Sequence, residues 1–343
     1  MGDATVVCWA RSGELGYQDV FQMFFSDFYG ETDLKELVGG ALSFYAAAAV
    51  AKTGGVHIFV AEDRDAAAYL LNDFYNLLDE KQVYFFPSSY KRSAAYGAED
   101  AQGVVQRTAA MNAVRGFTKG YLVVCTYPEA LAERVVDAAT LQRDTIAVKL
   151  GDKISIAVLE DALADANFTR VDFVYEPGQY SVRGGIVDVF SYSESKPYRI
   201  DFFGDEVDSI RRFNISSQLS ADKLDRVEII PNLNAGEAPR VSFVQFAGSS
   251  AACWFYDADY VLRRVNDLRR KVLADMENPG QIDRLLTSRN VLLRDMAGNS
   301  VVALRDNLPE RPATAAVVFD TAPQPKFNKN FEMLADDMIR NSL

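Results

Sequence analysis

The feature that most constrains the fold is a regular alternation of short apolar runs with longer helical segments over residues 19–130. The segments with helical periodicity span residues 42–52, 64–79 and 100–114. The apolar runs around them are ELVGG, VHIFVAED, QVYFFPSS and YLVVCTYP. Continuous apolar runs are typical of parallel strands that are covered on both faces. The pattern therefore predicts an α/β fold with an open parallel sheet.

A second kind of pattern begins near residue 145 and indicates a small α+β domain. An amphipathic helix is predicted over residues 154–166, and short alternating strands broken by glycine and proline follow it. After PNLNAGEAPR the chain returns to helix and strand alternation, which either resumes the first sheet or forms a third unit. We predict an α/β domain over residues 1–144, of which 1–18 form a flexible lead. An inserted, hairpin-rich α+β domain follows over residues 145–231, and a second α/β segment over residues 232–343.

Composition limits the class of protein. The chain has 343 residues, 49% of them hydrophobic, which suffices for the cores of two or three domains. The formal net charge is -12, so the chain as a whole does not attract nucleic acid phosphates. Three scattered cysteines and a single histidine predict a reduced protein without a zinc site. Because no apolar run has the length of a membrane span and no export signal begins the chain, we expect a cytoplasmic protein without a membrane partner.

A phosphate-binding loop is expected where an early strand of such a sheet meets its helix, and Gly39 and Gly40 occupy that position. Ser43 follows them, but the lysine that would neutralise the terminal phosphates of a nucleotide is missing. The sequence therefore predicts a degenerate P-loop-type domain whose loop binds no nucleotide. We predict no cofactor and no catalytic residue in this chain.

Two further groups of polar residues have simpler structural explanations. His57 lies inside the apolar run VHIFV, where a core role is favoured over that of a catalytic base. Asp205, Glu206 and Asp208 cluster after a predicted turn, and a solvated turn accounts for them without a metal ion.

The segment SKPYRIDFFGDEVDSIRRF, residues 195–213, has an unusual strand pattern. Side chains alternate between the two faces of a strand. The residues that point to one face are apolar and predict core packing: Tyr198, Ile200 and Phe202. The opposite face carries a cation, a carboxylate and a large aromatic ring: Arg199, Asp201 and Phe203. A tight turn at Gly204 and Asp205 is predicted to reverse the chain into an antiparallel strand.

The sequence YEPGQYSVRGGIVDVF, followed by PYRIDFFGDEVDSIRRF, resembles a segment shared by the excision-repair protein UvrB and the N-terminal part of the bacterial transcription-repair coupling factor (Mfd). The resemblance extends more loosely from about Leu37 to FNKNFEMLADD. Two features favour the coupling factor. The phosphate loop is degenerate, and the segment FFPSSYKRSAAYGAEDAQG is too short for the long DNA-probing hairpin of UvrB.

The resemblance implies a non-catalytic module that docks UvrA, the damage-recognition ATPase of nucleotide excision repair. It also implies a longer parent, an ATP-dependent DNA translocase whose further domains bind RNA polymerase, duplex DNA, ATP and magnesium. The residues that correspond to the family's UvrA contacts are Arg183 in SVRGG, Arg199 in PYRIDFF and Phe203, with Asp201 as a further candidate. The same face is expected to contact the parent's C-terminal region.

An exposed aromatic ring beside an arginine has the composition of an interface hot spot. We hypothesise that Arg199 forms a bidentate pair with a partner carboxylate while Phe203 fills a pocket. Two alternatives stay open. Arg199 and Asp201 could simply pair across neighbouring strands on a solvated face, with Phe203 capping the hairpin. The chain could also be a UvrB-like, ATP-dependent helicase that acts on damaged DNA directly.

Overall fold

The computed structural model describes residues 5–8, 31–35, 37, 39–90, 100–234, 238–276, 278–304, 308–313, 315–319 and 330–341. Of the predicted lead, only Thr5–Cys8 lies within these residues, and it forms a strand. Residues 91–99 of the segment expected to be too short for a DNA-probing hairpin lie outside the described residues. The helix that follows it begins at Ala101.

The strands follow one another along the chain as β1 (Thr5–Cys8), β2 (Glu31–Lys35), β3 (Gly55–Val60), β4 (Val83–Phe85), β5 (Tyr121–Thr126), β6 (Val135–Val136), β7 (Ile146–Lys149), β8 (Thr169–Arg170), β9 (Gln179–Arg183), β10 (Ile186–Val189), β11 (Tyr198–Phe203), β12 (Glu206–Phe213), β13 (Ser220–Leu224), β14 (Arg226–Ile229), β15 (Arg240–Val241), β16 (Ala252–Phe255), β17 (Ser300–Ala303) and β18 (Ala315–Phe319).

The α-helices are α1 (Ala41–Thr53), α2 (Arg64–Leu77), α3 (Ala101–Gly116), α4 (Pro128–Ala132), α5 (Ala138–Asp144), α6 (Ile156–Asp165), α7 (Phe243–Ala247), α8 (Ala258–Asp275), α9 (Ile282–Leu285), α10 (Arg289–Asp295) and α11 (Phe331–Asn341). Within the part of the chain that the structure describes, no helix combines the length and the apolar character that crossing a membrane requires.

The larger sheet has eight strands in the order β1–β18–β2–β17–β16–β3–β5–β4. Every pairing in it is parallel. The α/β class with a parallel sheet, predicted from the sequence, is confirmed. Strands β16, β17 and β18 lie in the same sheet as β2 and β3, so the segment after residue 232 adds to this sheet.

The first helix of the larger sheet shows how local sequence sets its limits. Helix α1 buries its alanine-rich centre and ends at Gly54, which has a φ of 63°. A Cβ at Gly54 would lie 2.8 Å from the carbonyl oxygen of Gly120, so both the backbone conformation and the close approach require glycine there.

The predicted strand ELVGG is wrong in position. The strand is Glu31–Lys35, directly before it, and Gly39–Gly40 form a turn into α1. The run ELVGG is more apolar than ETDLK, but Gly39 has a φ of 60°, which a strand does not contain. Pairing with β17 and β18 makes Glu31–Lys35 the strand.

The smaller sheet has six strands in the order β13–β12–β11–β10–β9–β8, antiparallel except for the pair β8–β9. Helix α6 and the antiparallel pair β7–β14 cover its inner face and form a separate hydrophobic core with it. Ser155 caps α6 by accepting a hydrogen bond from the backbone N–H of Val158. Arg115 of α3 donates to Glu228 of β14 at 2.5 Å and joins a helix of the larger sheet to this unit.

Candidate functional site

The face of the smaller sheet that points away from α6 is called the outer face here. Tyr198 and Ile200 are buried in the inner core, and Phe202 packs against that core. The alternation predicted for β11 is thus confirmed, and its other side chains lie on the outer face. The strand register places Asp188 opposite Arg199 on one side and Arg211 opposite Arg199 on the other.

The β11–β12 hairpin presents Phe203 at its tip. Phe203 pairs with Glu206, so Gly204 and Asp205 form the predicted two-residue turn, and Gly204 has a φ of 63°. The Phe203 side chain is 83% exposed, and few large apolar residues in the described part of the chain are so open to solvent. The register shifts next to the turn, since Asp201 faces Ser209 while Phe202 faces Val207. Such a bulge strengthens the local twist of a hairpin.

Beside this hairpin, two arginines converge on the buried carboxylate of Asp188. Arg199 donates from Nε to Asp188 Oδ1 at 2.7 Å and from its second terminal nitrogen to Oδ2 at 2.8 Å. Arg183 donates to the same Oδ2 at 2.5 Å. The Asp188 side chain is 2% exposed, so both guanidiniums compensate a carboxylate that has lost its water.

Arg199 is fixed from several directions. Its guanidinium lies over the Phe213 ring, 4.4 Å from the ring centroid, and it also donates to the backbone and side-chain oxygens of Gln218. The hydrogen bonds to Asp188 raise the pKa of Arg199 above its ordinary value, so the side chain stays charged. Its side chain is 15% exposed, and the fork that we expected to bind a partner carboxylate is closed on Asp188.

Arg183 is the more accessible of the two arginines. Its side chain is 36% exposed, and its guanidinium lies over the exposed ring of Phe173 with 4.9 Å to the centroid. It also donates to the carbonyl oxygen of Asp172 at 3.4 Å. Arg183 therefore presents a positive charge and a stacked aromatic ring at the surface of the outer face.

Asp201 belongs to a second polar group on the outer face. It accepts hydrogen bonds from Arg211 and from the hydroxyl of Ser209, the latter at 2.5 Å. The alternative in which Arg199 and Asp201 pair across neighbouring strands is thus present in the structure, although the Asp188 carboxylate is buried and does not lie on a solvated face. Arg199 pairs across to β10 and Asp201 pairs across to β12, because the register offers each a closer opposite charge.

The sequence interpretation missed Asp188, Phe173 and Arg211. A carboxylate inside the apolar strand Ile186–Val189 was the available signal for Asp188, since an ionised group in such a strand needs a partner. Phe173 follows a short strand and carries no periodic signal. Arg211 could be placed on the outer face only once the bulge in β12 was known.

The predicted degenerate phosphate loop leads directly into α1. A Cβ added at Gly39 or Gly40 would meet no atom within 4 Å. The hydroxyl of Ser43 is buried and donates to Asp73 of α2 at 2.5 Å. In this arrangement the hydroxyl that a phosphate loop would use for magnesium links two helices instead. The absence of nucleotide binding stays a prediction.

His57 is a satisfied core residue. Its Nε2 donates to the carbonyl oxygen of Gly54 at 2.8 Å, and its Nδ1 accepts from Nε1 of Trp254 at 3.0 Å. This tautomer is neutral, and burial lowers the pKa of His57 from 6.5 to about 4. Cys125 and Cys253 are buried free thiols, and burial raises the pKa of Cys253 to about 12. Among the described residues no cluster of His, Cys, Asp or Glu could hold a metal ion.

The comparison with known protein families singles out the unit that contains the smaller sheet. A family model described as the UvrB interaction domain matches residues 146–234. The unit that contains the smaller sheet is thus similar to the UvrB interaction domain. The outer-face residues Arg183, Asp188, Arg199 and Phe203 all lie within the matched residues.

Individual relatives support the same assignment. The transcription-repair-coupling factor of Bacillus subtilis (strain 168) is 27% identical over 199 residues, which are 58% of this chain and 17% of that protein. The protein of the same name from Escherichia coli (strain K12) has the same identity and coverage. The one from Haemophilus influenzae is 35% identical over 101 residues, 29% of this chain and 9% of that protein.

The aligned residues thus span less than a fifth of the length of these relatives. Together with the UvrB interaction domain, they support the N-terminal UvrB-like module of a transcription-repair coupling factor. The resemblance predicted from the sequence is confirmed.

Proposed function

We propose that this chain is a non-catalytic module that recruits UvrA to nucleotide excision repair, as part of a transcription-repair coupling factor. UvrA docks on the outer face of the UvrB interaction domain. The observation that carries the proposal is the exposed ring of Phe203 at a hairpin tip, next to the arginine and carboxylate cluster around Asp188. A wet hairpin with no partner has no need of a large aromatic ring at its most exposed position.

The chemistry of the outer face suits a partner surface that has an apolar pocket and carboxylates. Lys223, Arg211 and Arg199 lie opposite one another on three adjacent strands, and Arg211 and Arg199 are paired with Asp201 and Asp188. Together with Arg183, these cations outnumber the two carboxylates that pair with them, which gives a local positive charge on a chain with a net charge of -12. Phe203 can be buried in full on binding, whereas Phe173 keeps part of its ring against Arg183.

The structural roles of the three predicted contact residues differ. Phe203 supplies apolar area, Arg183 supplies an accessible charge, and Arg199 supports Arg183 through their shared partner Asp188. Phe203 is the exposed apolar residue of this face, and truncation of such an anchor at an interface commonly costs about 2 kcal/mol or more.

For the whole parent protein we propose an ATP-dependent DNA translocase that displaces stalled RNA polymerase. The domains for ATP, magnesium, RNA polymerase and duplex DNA belong to the parent outside this chain. Within the parent, the outer face also contacts the C-terminal region until the motor engages. The missing lysine in the phosphate loop and the Ser43–Asp73 hydrogen bond support a module without catalysis of its own.

Isothermal titration of the chain with purified UvrA tests the proposal. We expect saturable binding with a dissociation constant of about 1 µM or tighter, equivalent to about -8 kcal/mol or below. Absence of binding by folded protein would refute the proposed function.

A further inference from the structure

We infer that Asp188 is the positioning residue of the docking face: it holds the guanidiniums of Arg199 and Arg183 so that Arg183, stacked on Phe173, meets the partner. The inference rests on the proposed function and adds to it a residue that makes no contact with the partner. Asp188 lies at the centre of the outer face, opposite Arg199 and Ser181 on its neighbouring strands.

The three side chains share their hydrogen bonds through the one carboxylate. Asp188 accepts from Arg199 through both oxygens, at 2.7 and 2.8 Å, and from Arg183 through Oδ2 at 2.5 Å. One carboxylate thus serves two guanidiniums, and the group keeps one net positive charge. The carboxylate itself is 2% exposed, so a partner cannot reach it.

The two arginines differ in how deeply they are buried. Arg199 packs against Phe213, which is buried in a small hydrophobic cluster, so Arg199 holds Asp188 on the side away from solvent. Arg183 lies nearer to solvent, where Asp188, the Asp172 carbonyl and the Phe173 ring hold its guanidinium in one place. The net positive charge of the group is therefore presented at Arg183.

The order of the Arg183 side chain in the free protein affects the entropy of binding. A long arginine side chain that is free in solution loses rotamer freedom when a partner fixes it, and this loss weakens binding. Arg183 is already fixed by Asp188 before the partner arrives. Removal of the Asp188 charge would free Arg183 and would also leave two like charges close together. Both effects weaken docking without removing any group that touches the partner.

A double-mutant cycle with UvrA tests the inference. The variants are Asp188→Asn, Arg183→Ala and their combination, measured by calorimetry at a temperature where circular dichroism shows each to be folded. Glu194→Gln is the matched control, because it makes the same charge change in an ion pair with Arg212, which pairs with the core residue Tyr198. We expect each single change to weaken binding about fivefold or more, and the double variant to lose at most about twofold beyond either one.

The control is expected to bind like the wild type. Equal affinities of Asp188→Asn and Glu194→Gln for UvrA would overturn the inference. So would a double variant whose loss of affinity is the product of the two single losses, because Asp188 would then act independently of Arg183. If the wild type itself fails to bind UvrA, both the proposed function and the role of Asp188 in docking are refuted. If the wild type binds but Asp188→Asn binds with the same affinity, only the inference is refuted.

A measurement on the unbound wild type keeps the inference testable if Asp188→Asn does not fold. Nitrogen-15 relaxation of the arginine side chains reports whether the Nε–H of Arg183 is ordered. We expect Arg183 to be as rigid as Arg199 and clearly more rigid than Arg270, which has an exposed side chain. A mobile Arg183 in the free protein would contradict preorganisation by Asp188.

Discussion

Arg199 and Asp188 lie directly opposite each other on two neighbouring strands, and the guanidinium closes on both carboxylate oxygens at 2.7 and 2.8 Å. The contact is nearly closed to solvent. Arg199 therefore stabilises the unit that contains the smaller sheet, and in the proposed docking face it acts through its neighbours. An effect of Arg199 substitution on binding has to be separated from its effect on folding.

We predict that Arg199→Ala lowers the free energy of unfolding by about 3 kcal/mol, because it leaves the buried Asp188 carboxylate with Arg183 alone. Arg183→Ala serves as the comparison and should cost less than about 1 kcal/mol, since that side chain is more exposed. Urea unfolding at neutral pH measures both. Equal losses for the two variants would contradict the structural role assigned to Arg199.

Truncation of Phe202 should lower the free energy of unfolding, whereas truncation of the adjacent Phe203 should leave it nearly unchanged. Phe202 packs against the inner core, so Phe202→Ala is expected to lower the free energy of unfolding by about 2 kcal/mol. Phe203 is exposed at the hairpin tip, so Phe203→Ala should stay within about 0.5 kcal/mol of the wild type. Thermal and urea unfolding of the two variants measure these changes. A clear loss of stability in Phe203→Ala would mean that the Phe203 ring packs against its neighbours in the free protein.

Titration of His57 should weaken the fold at mildly acidic pH. Burial lowers the pKa of His57 to about 4, whereas the unfolded chain has an ordinary value of 6.5. The unfolded state therefore binds more protons between these values. The contribution of His57 is fully present above pH 6.5 and is lost as the pH falls towards 4, by up to about 3 kcal/mol.

Nuclear magnetic resonance can follow this titration directly, because the chain has one histidine and hence one imidazole to observe. We expect its signals to stay those of the neutral Nε2–H tautomer down to about pH 5. His57→Gln should flatten the slope of stability against pH in the same window. A midpoint near 6.5 in the folded protein would contradict the burial of the ring against Trp254.

Addition of Mg-ATP should leave the melting temperature unchanged. The glycines before α1 lack the lysine that would neutralise the phosphates, and the Ser43 hydroxyl is bound to Asp73. A ligand that binds only the folded state raises its apparent stability, so millimolar Mg-ATP reports any site of useful affinity. A shift of several degrees would favour the alternative of a UvrB-like helicase.

The sequence predicted the strands that are marked by a local run of apolar residues. VHIFV and YLVVC are mostly apolar and form β3 and β5, two interior strands of the larger sheet. The strand Glu31–Lys35 was missed because Leu34 is its only apolar residue, so it carries no apolar run. It is a strand because β17 and β18 pair with it, and they lie more than two hundred residues further along the chain.

The candidate site was predictable in part for a similar reason. Alternation along β11 is local, so the shared face of Arg199 and Phe203 followed from the sequence. The pairing of Arg199 with Asp188 depends on the register between β10 and β11, which the connection over residues 190–197 sets. No local pattern contains that register, so the sequence could not show that the fork of Arg199 was already occupied.

The most direct test of the account is the affinity of UvrA for the wild type, Phe203→Ala and Tyr69→Ala, measured by calorimetry. Tyr69 is 76% exposed on α2, outside residues 146–234, and so controls for loss of an exposed ring elsewhere. The account predicts that Phe203→Ala weakens binding at least about tenfold, or about 1.4 kcal/mol, while Tyr69→Ala binds like the wild type. Equal affinity of all three proteins, or no binding by the folded wild type, would contradict it.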